Sequence, residues 1–109
     1  MKSPDAVSAL AALAHDKRLA AFRLLVEAGP GGLAAGTIAR RLDIAPPSLT
    51  FHLQNLQRAG LVKQERLSRQ VIYSADYAAM KGLVGFLTEN CCAGSACAPA
   101  RSPRKARAT

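Results

Sequence analysis

The sequence predicts a mainly α-helical domain with one small β-hairpin, and three patterns support this prediction. Apolar residues recur at every third or fourth position through most of the first 60 residues, which is the period of an α-helix. Two short runs that are typical of extended strands follow, at 61–66 and 70–74. The helical period then returns after residue 76 and continues to residue 89. A chain of 109 residues has room for one domain with a thin core, so a dimer that shares apolar surface would not be surprising.

Three helices are predicted before the chain reaches residue 42. The Ala- and Leu-rich segment 5–14 has a strong intrinsic preference for helix. Asp16 is a candidate N-cap for a second helix, which the Gly- and Pro-rich run at 29–32 should end. A third, short helix is expected over 35–42, before a tight connection in which a proline disfavours further helix.

A fourth helix, a hairpin and a closing helix complete the predicted order. Pro47 suits the first turn of the fourth helix, because an amide is not needed there. The buried stripe of this helix is predicted to be Leu49, Leu53 and Leu56. The two extended runs are separated by 67–69, which predicts a hairpin. Ser74 or Asp76 can cap the closing helix.

Positive charge is concentrated in two parts of this chain, whose formal net charge is +8. The segment 44–75 has four basic residues and one acid, and the segment 98–109 has four basic residues and no acid. A basic tail alone is also typical of a disordered segment. The charge within 44–75 is more informative, because it falls on predicted helix and hairpin and indicates a polyanionic partner.

The sequence shows neither a membrane span nor a signal peptide. No apolar run approaches the roughly 18 residues that a membrane helix needs, and the N-terminal residues lack the apolar core of a secretory signal. We therefore expect a cytoplasmic protein. A reducing compartment would keep its three cysteines as thiols.

The predicted fourth helix presents a polar face opposite its buried stripe. A rotation of about 100° per residue places Phe51, Gln54 and Arg58 on that outward face. A helix, a short turn, a second helix and a basic hairpin are typical of a winged helix-turn-helix, in which one helix enters the major groove of DNA. The candidate DNA-contacting residues are Pro47, Ser48, Thr50, Phe51, His52, Gln54, Arg58, Lys63, Arg66 and Arg69.

Some of these assignments have a competing interpretation. Phe51 could instead belong to the core, since a buried phenylalanine is the commoner case. His52 lies near the edge of the buried stripe, so a structural role or a phosphate contact is favoured over metal binding. Lys63, Arg66 and Arg69 could form a solvated basic surface, although their position directly after an outward polar helix favours DNA.

All three cysteines of the chain, Cys91, Cys92 and Cys97, lie together where the last helical pattern ends. Thiolates are soft ligands that select thiophilic ions, and trivalent arsenic needs only three of them. Structural zinc takes four ligands, and the two histidines, His15 and His52, are remote in sequence. Thiol oxidation is another interpretation, but the end of a helix disfavours a thiolate. The remaining alternative is that these cysteines have no function.

Three blocks of the sequence resemble the ArsR/SmtB family of metal- and metalloid-responsive repressors. They read ALAHDKRLAAFRLLVEAG, TIARRLDIAPPSLTFHLQNLQRAGLV and RQVIYSADYAAMKGLVGFLTENCC, and they cover about residues 6–92. The resemblance implies a recognition helix in the second block, with the family's Ser/Thr-x-His-Leu motif beginning at Thr50. It divides the chain into a winged helix-turn-helix domain, 1–92, and a flexible tail, 93–109.

The resemblance also implies a homodimer formed through the first and last helices. The interface residues expected on these helices are Leu10, Leu13, Tyr77, Met80, Leu83, Val84 and Leu87. The chain departs from the family at the two best-known sensor positions, because 37–42 has no thiol and the last helix lacks pairs of Asp and His. The clustered cysteines at the end therefore remain as the sensor, an arrangement similar to that of some family members.

The predicted function is a metalloid-responsive repressor that binds double-stranded operator DNA as a dimer. As(III), with Sb(III) beside it, is the expected inducer, and no other cofactor is required. The alternatives are a repressor that senses another thiophilic metal, an organoarsenical or thiol oxidation. An enzyme is not expected, because the sequence has no Cys-x-x-Cys pair at a helix start and no Cys–His–acid arrangement. A module that binds DNA without sensing a signal is a third class.

Overall fold

A computed structural model describes residues 1–94, with five α-helices and three short β-strands in that part of the chain. The helices α1 to α5 span Ser3–Leu13, Asp16–Ala28, Ala35–Leu42, Pro46–Arg58 and Tyr77–Leu87. The strands β1 to β3 span Leu33–Ala34, Val62–Leu67 and Gln70–Ala75, and a 3-10 turn at Cys91–Gly94 follows α5. No helix in this part of the chain is long and apolar enough to cross a membrane.

The sheet has three antiparallel strands in the order β1-β3-β2, so the predicted hairpin gains a third strand. Leu33 of β1 pairs with Tyr73, and Val62 of β2 pairs with Ala75. The sequence did not predict β1, because two residues are too few to show an alternating pattern. Gly32 precedes β1 with a φ of +73°, and a Cβ there would overlap the Tyr73 carbonyl. Glycine therefore allows the chain to approach β3 this closely.

The element boundaries agree with the predicted ones to within two residues, and α3 matches them at both ends. The β2–β3 turn is shorter than predicted. β2 continues through Leu67, which leaves Ser68 and Arg69 as the turn. Ser68 has a φ of +57°, which is the left-handed backbone that tight hairpin turns require.

Side chains cap the N-termini of two helices. Asp76 caps α5 as predicted, and its Oδ1 accepts a hydrogen bond from the Ala79 amide at 3.0 Å. The predicted cap of α2, Asp16, is wrong. The cap is His15, whose Nδ1 accepts from the Lys17 amide at 3.2 Å. Asp16 is already helical, and its carboxylate lies in the first turn, where the helix dipole favours negative charge.

The core lies between α2, α3, α4 and the start of the hairpin. Its largest fully buried side chains are Leu25, Ile38, Leu49, Leu53, Leu56 and Leu61. Each of these contributes about 1.5–3 kcal/mol through removal of apolar surface from water. The three α4 leucines among them confirm the predicted inward stripe, so the opposite face of α4 points outward. α1 packs on this core through small side chains, those of Ala6, Ala9 and Ala12.

Candidate DNA-binding surface and cysteine site

The face of α4 opposite its buried leucines is exposed, as predicted. The exposed side chains on and beside this face are Pro47, Ser48, Thr50, Phe51, Gln54 and Arg58. Phe51 is 56% exposed, so it does not belong to the core of this chain. The major groove of DNA offers thymine methyl groups as apolar contacts for such a ring, and hydroxyls, amides and guanidinium groups can bond base edges or phosphates. These features favour α4 as the groove-reading helix.

Two hydrogen bonds organise the last turns of α4. The Asn55 Nδ2 donates to the Phe51 carbonyl oxygen at 3.0 Å. The Arg58 Nη2 then donates to the Asn55 Oδ1 at 3.2 Å. This contact uses one of the five N–H groups of the Arg58 guanidinium, so the others can donate to DNA. Asn55 therefore positions Arg58 at the end of the exposed face.

His52 does not belong to this exposed face. Its side chain is 8% exposed, and its ring centroid lies 4.7 Å from that of His15 at the start of α2. The assignment of His52 to the DNA-contacting residues is therefore corrected, because burial between α4 and α2 matches the structural alternative. Burial lowers the pKa of His52, and the charges of His15, Arg18 and Lys17 lower it further.

The hairpin presents the predicted basic residues. Lys63 and Arg66 are among the five exposed residues of the six in β2. Arg69, in the turn that follows, is also exposed. Arg69 also lines a pocket beside the start of α3, together with Thr37 and Arg40. The Arg40 Nη2 donates to the Thr37 Oγ1 at 3.4 Å. Sequence reasoning missed Arg40 as part of this basic surface, because only the fold brings it close to Arg69.

Exposed apolar side chains lie on α1 and α5, where the dimer interface was predicted. Leu10, Val84 and Leu87 are exposed, and so are Val7 and Leu19, which were not predicted. Between α1, α2 and α5 lies an open apolar groove of about 330 Å³. Its lining includes three further predicted interface residues, Leu13, Met80 and Leu83.

Two of the predicted interface residues also have contacts within the chain. The Tyr77 hydroxyl donates to the Val26 carbonyl at 2.9 Å and lies 3.3 Å from the Leu25 carbonyl, so it joins α5 to the end of α2. Leu83 is buried and belongs to the core. These contacts within one chain do not test the predicted dimer interface, so the assignment of both residues to it stays a prediction.

Cys91 and Cys92 lie on an exposed turn directly after α5. Their Sγ atoms are 3.6 Å apart, and both side chains are exposed. The Cys91 amide donates to the carbonyl of Thr88, the C-cap of α5, at 3.0 Å, so the pair is attached to the end of the helix. The third predicted ligand, Cys97, lies outside the described residues. Within 1–94, no group of three or more His, Cys, Asp or Glu side chains is placed to hold a metal ion.

Comparisons with known proteins indicate a DNA-binding regulator. A family model described as a helix-turn-helix domain matches residues 13–65. The transcriptional activator HlyU of Vibrio cholerae is 29% identical over 85 residues, which cover 78% of this chain and 76% of HlyU.

Solved structures show the same similarity. An ArsR-like transcriptional regulator from Rhodococcus sp. RHA1 has a TM-score of 0.68 and 27% identity, over 77% of this chain and 76% of that chain. The homodimeric winged helix-turn-helix DNA-binding domain of Mb0332 from Mycobacterium bovis has a TM-score of 0.63 and 26% identity, over 80% and 81% of the two chains.

The exposed face of α4, the basic hairpin and these similarities define a transcriptional regulator with a winged helix-turn-helix DNA-binding domain. The predicted fold is confirmed, and the small sheet forms the wing. Within this class, the solved structures to which the chain is similar include ArsR-like regulators. The proteins to which it is similar are DNA-binding regulators rather than enzymes.

Proposed function

We propose that this regulator represses transcription as a homodimer on operator DNA, and that trivalent arsenic or antimony releases it by binding Cys91, Cys92 and Cys97. The observation that carries the proposal is a pair of exposed thiols, 3.6 Å apart, directly after α5. α5 also presents part of the apolar surface that a second subunit would cover. Repression is itself part of the proposal, since one relative is named as an activator.

The separation of the two sulfurs suits a shared ion. For comparison, two sulfurs bound to one tetrahedral zinc at about 2.3 Å lie about 3.8 Å apart. Cys91 and Cys92 therefore need little rearrangement to bind one centre. Trivalent arsenic takes three soft ligands, and only the four small residues at 93–96 separate Cys97 from the pair in sequence.

A homodimer is supported by the apolar surface on α1 and α5. Monomeric proteins rarely expose a large contiguous apolar patch, and a second copy would cover the side chains of Leu10, Val84 and Leu87. Mb0332, which this chain resembles, is homodimeric. A twofold axis would place two α4 helices over half-sites about 34–36 Å apart, which is one turn of DNA.

Release would follow from the position of the thiols at the end of α5. Binding of one ion by Cys91, Cys92 and Cys97 would close a loop at the end of the helix and change the preferred position of α5 against the partner subunit. A change there alters the spacing of the two α4 helices, which then fit successive major grooves less well. A coupling of about 1–3 kcal/mol would weaken operator binding about 5- to 150-fold.

Replacing each cysteine by serine tests this proposal. Operator release by arsenite is followed by fluorescence anisotropy, with a phosphine reductant that does not compete for arsenite as a thiol would. Cys91→Ser, Cys92→Ser and Cys97→Ser should bind the operator with native affinity but resist release, because two sulfurs do not complete a three-coordinate site. Ser95→Ala is the matched control, since it alters the same segment and keeps every thiol. Release of all three serine variants would show that the inducer binds elsewhere.

The proximity of the Cys91 and Cys92 sulfurs favours one second candidate signal, thiol oxidation. Hydrogen peroxide would accept two electrons and two protons from the two thiols, which leaves a disulfide and two molecules of water. This disulfide does not require Cys97. Peroxide would therefore release the Cys97→Ser variant in the same assay without reductant, whereas arsenite would not.

A further inference from the structure

A polar pocket of about 370 Å³ lies where α1, α2 and α4 meet, beside the exposed face of α4. It is lined by Ser8 of α1, Arg18 of α2, Asn55 and Arg58 of α4, and three alanines. Two arginines therefore line this pocket, and none of its lining residues is acidic. Asp16, the acid nearest to Arg18 in sequence, is not among them. The excess of positive charge in this pocket is typical of an anion-binding site.

The guanidinium of Arg18, which lines this pocket, has one unsatisfied donor. Its Nε is buried and has no hydrogen-bond partner within residues 1–94. Buried donors are normally paired, and a guanidinium presents two N–H groups in the geometry that a phosphate accepts. Arg58 is already oriented, because its Nη2 donates to Asn55 and the Asn55 Nδ2 donates to the Phe51 carbonyl. Asn55 is therefore a positioning residue for the second arginine.

The pocket lies where the DNA backbone would pass if α4 reads the major groove. α4 has 13 residues and is therefore about 20 Å long, whereas the groove is about 12 Å wide. When the first half of the helix lies over the bases, its last turn reaches the edge of the groove, where the phosphates are. Arg58 belongs to both the exposed face and the pocket, so the two surfaces are continuous.

We propose that this pocket binds one phosphate group, through Arg18, Arg58 and the Ser8 hydroxyl, and that on operator DNA this group is a backbone phosphodiester. The proposal rests on the DNA-binding role of α4 and extends the contact surface to α2 and α1. The contact would fix the position of the subunit without reading sequence, because phosphates are the same at every base pair.

The salt dependence of DNA binding tests the site through Arg18→Gln. Each lost phosphate contact lowers the slope of log affinity against log salt concentration by about 0.9. We expect this decrease in slope once for each subunit. At about 0.1 M salt, each lost contact should reduce the affinity about eightfold, and the loss should be the same for operator and random DNA. Arg18→Lys keeps the charge and should retain most of the slope. Lys2→Gln removes one charge away from the pocket and should leave the slope unchanged.

A second arm separates DNA phosphate from phosphate in solution. The DNA-free protein is melted with inorganic phosphate, with chloride at equal ionic strength as the reference. If Arg18→Gln changes the slope of log affinity against log salt and phosphate does not change the Tm of the DNA-free protein, the backbone contact is supported. A phosphate-dependent Tm that Arg18→Gln abolishes, with an unchanged slope, assigns the pocket to free phosphate and overturns the DNA contact. No change in either measurement overturns the whole proposal.

The outcome is distinguishable from that of the sensing proposal. Arsenite release depends on the cysteines and not on Arg18, so Arg18→Gln should still be released by arsenite. If the native protein bound no operator, the Tm measurement would still report on the pocket.

Discussion

His52 lies in a positively charged environment between α4 and α2. Its ring is 4.7 Å from that of His15, and Arg18 and Lys17 are close enough to act on its charge. Burial is the largest cause of its lowered pKa, and these neighbours add to it. The His52 Nδ1 also has no hydrogen-bond partner within residues 1–94. The folded protein therefore disfavours the protonated imidazole.

His52→Gln should make stability less sensitive to acid. The folded-state pKa of His52 is below the unfolded value of 6.5, so the unfolded state binds a proton first as the pH falls. The free energy of unfolding therefore has its full value above the unfolded-state pKa of His52. It decreases as the pH falls from there through the folded-state pKa. The free energy of unfolding, measured by urea at about pH 7.5 and about pH 5, should fall more in the native protein than in the variant. Equal decreases in the native protein and in the variant would contradict a lowered pKa of His52 in the folded state.

Side-chain direction was predictable from the sequence at this scale, whereas contact partners were not. The rotation per residue of a helix predicted the exposure of Phe51 and Arg58. The partners of His52 and Tyr77 lie on α2, remote in sequence, so only the folded chain shows them. For the same reason, Arg18 was not predicted to lie beside Arg58.

At the scale of the elements, the predictable parts were those with a strong local signal. The period of α4 and the two short extended runs of the hairpin predicted both elements with small errors at their ends. β1 has no such signal, because its pairing with β3 depends on the turn at Gly32. The apolar pattern of α5 predicted a helix but did not divide its residues between the core and an interface. Leu83 is buried, whereas Val84 is 55% exposed.

Val84→Glu should weaken dimerisation and operator binding together. The side chain of Val84 is largely exposed in one chain, so the core is preserved, but the proposed interface would bury an unpaired carboxylate. Sedimentation velocity should show a shift from dimer to monomer, and operator affinity should fall at least about tenfold.

Ala78→Glu is the control for this prediction. It adds the same charge to an exposed position about 120° around α5 from Val84 and should remain dimeric. If Val84→Glu also remained dimeric with native operator affinity, the face of α5 that lines the apolar groove would not be the dimer interface.

At the scale of the whole molecule, α5 connects the thiol pair to the DNA-binding surface. Cys91 and Cys92 follow its end, and the Tyr77 hydroxyl joins its start to α2. α2 packs against α4, where the groove-reading residues lie. This contiguous path, together with the proposed subunit interface, gives a physical route by which a ligand at the thiols could change DNA binding.

Such coupling has to be reciprocal, because both ligands act on one equilibrium. The most direct test is the arsenite affinity of the protein, titrated with and without saturating operator DNA. We predict that DNA weakens arsenite binding by the same factor, about 5- to 150-fold, by which arsenite weakens DNA binding. Equal arsenite affinities in the two states would contradict the account, since binding at the cysteines could not then release the operator.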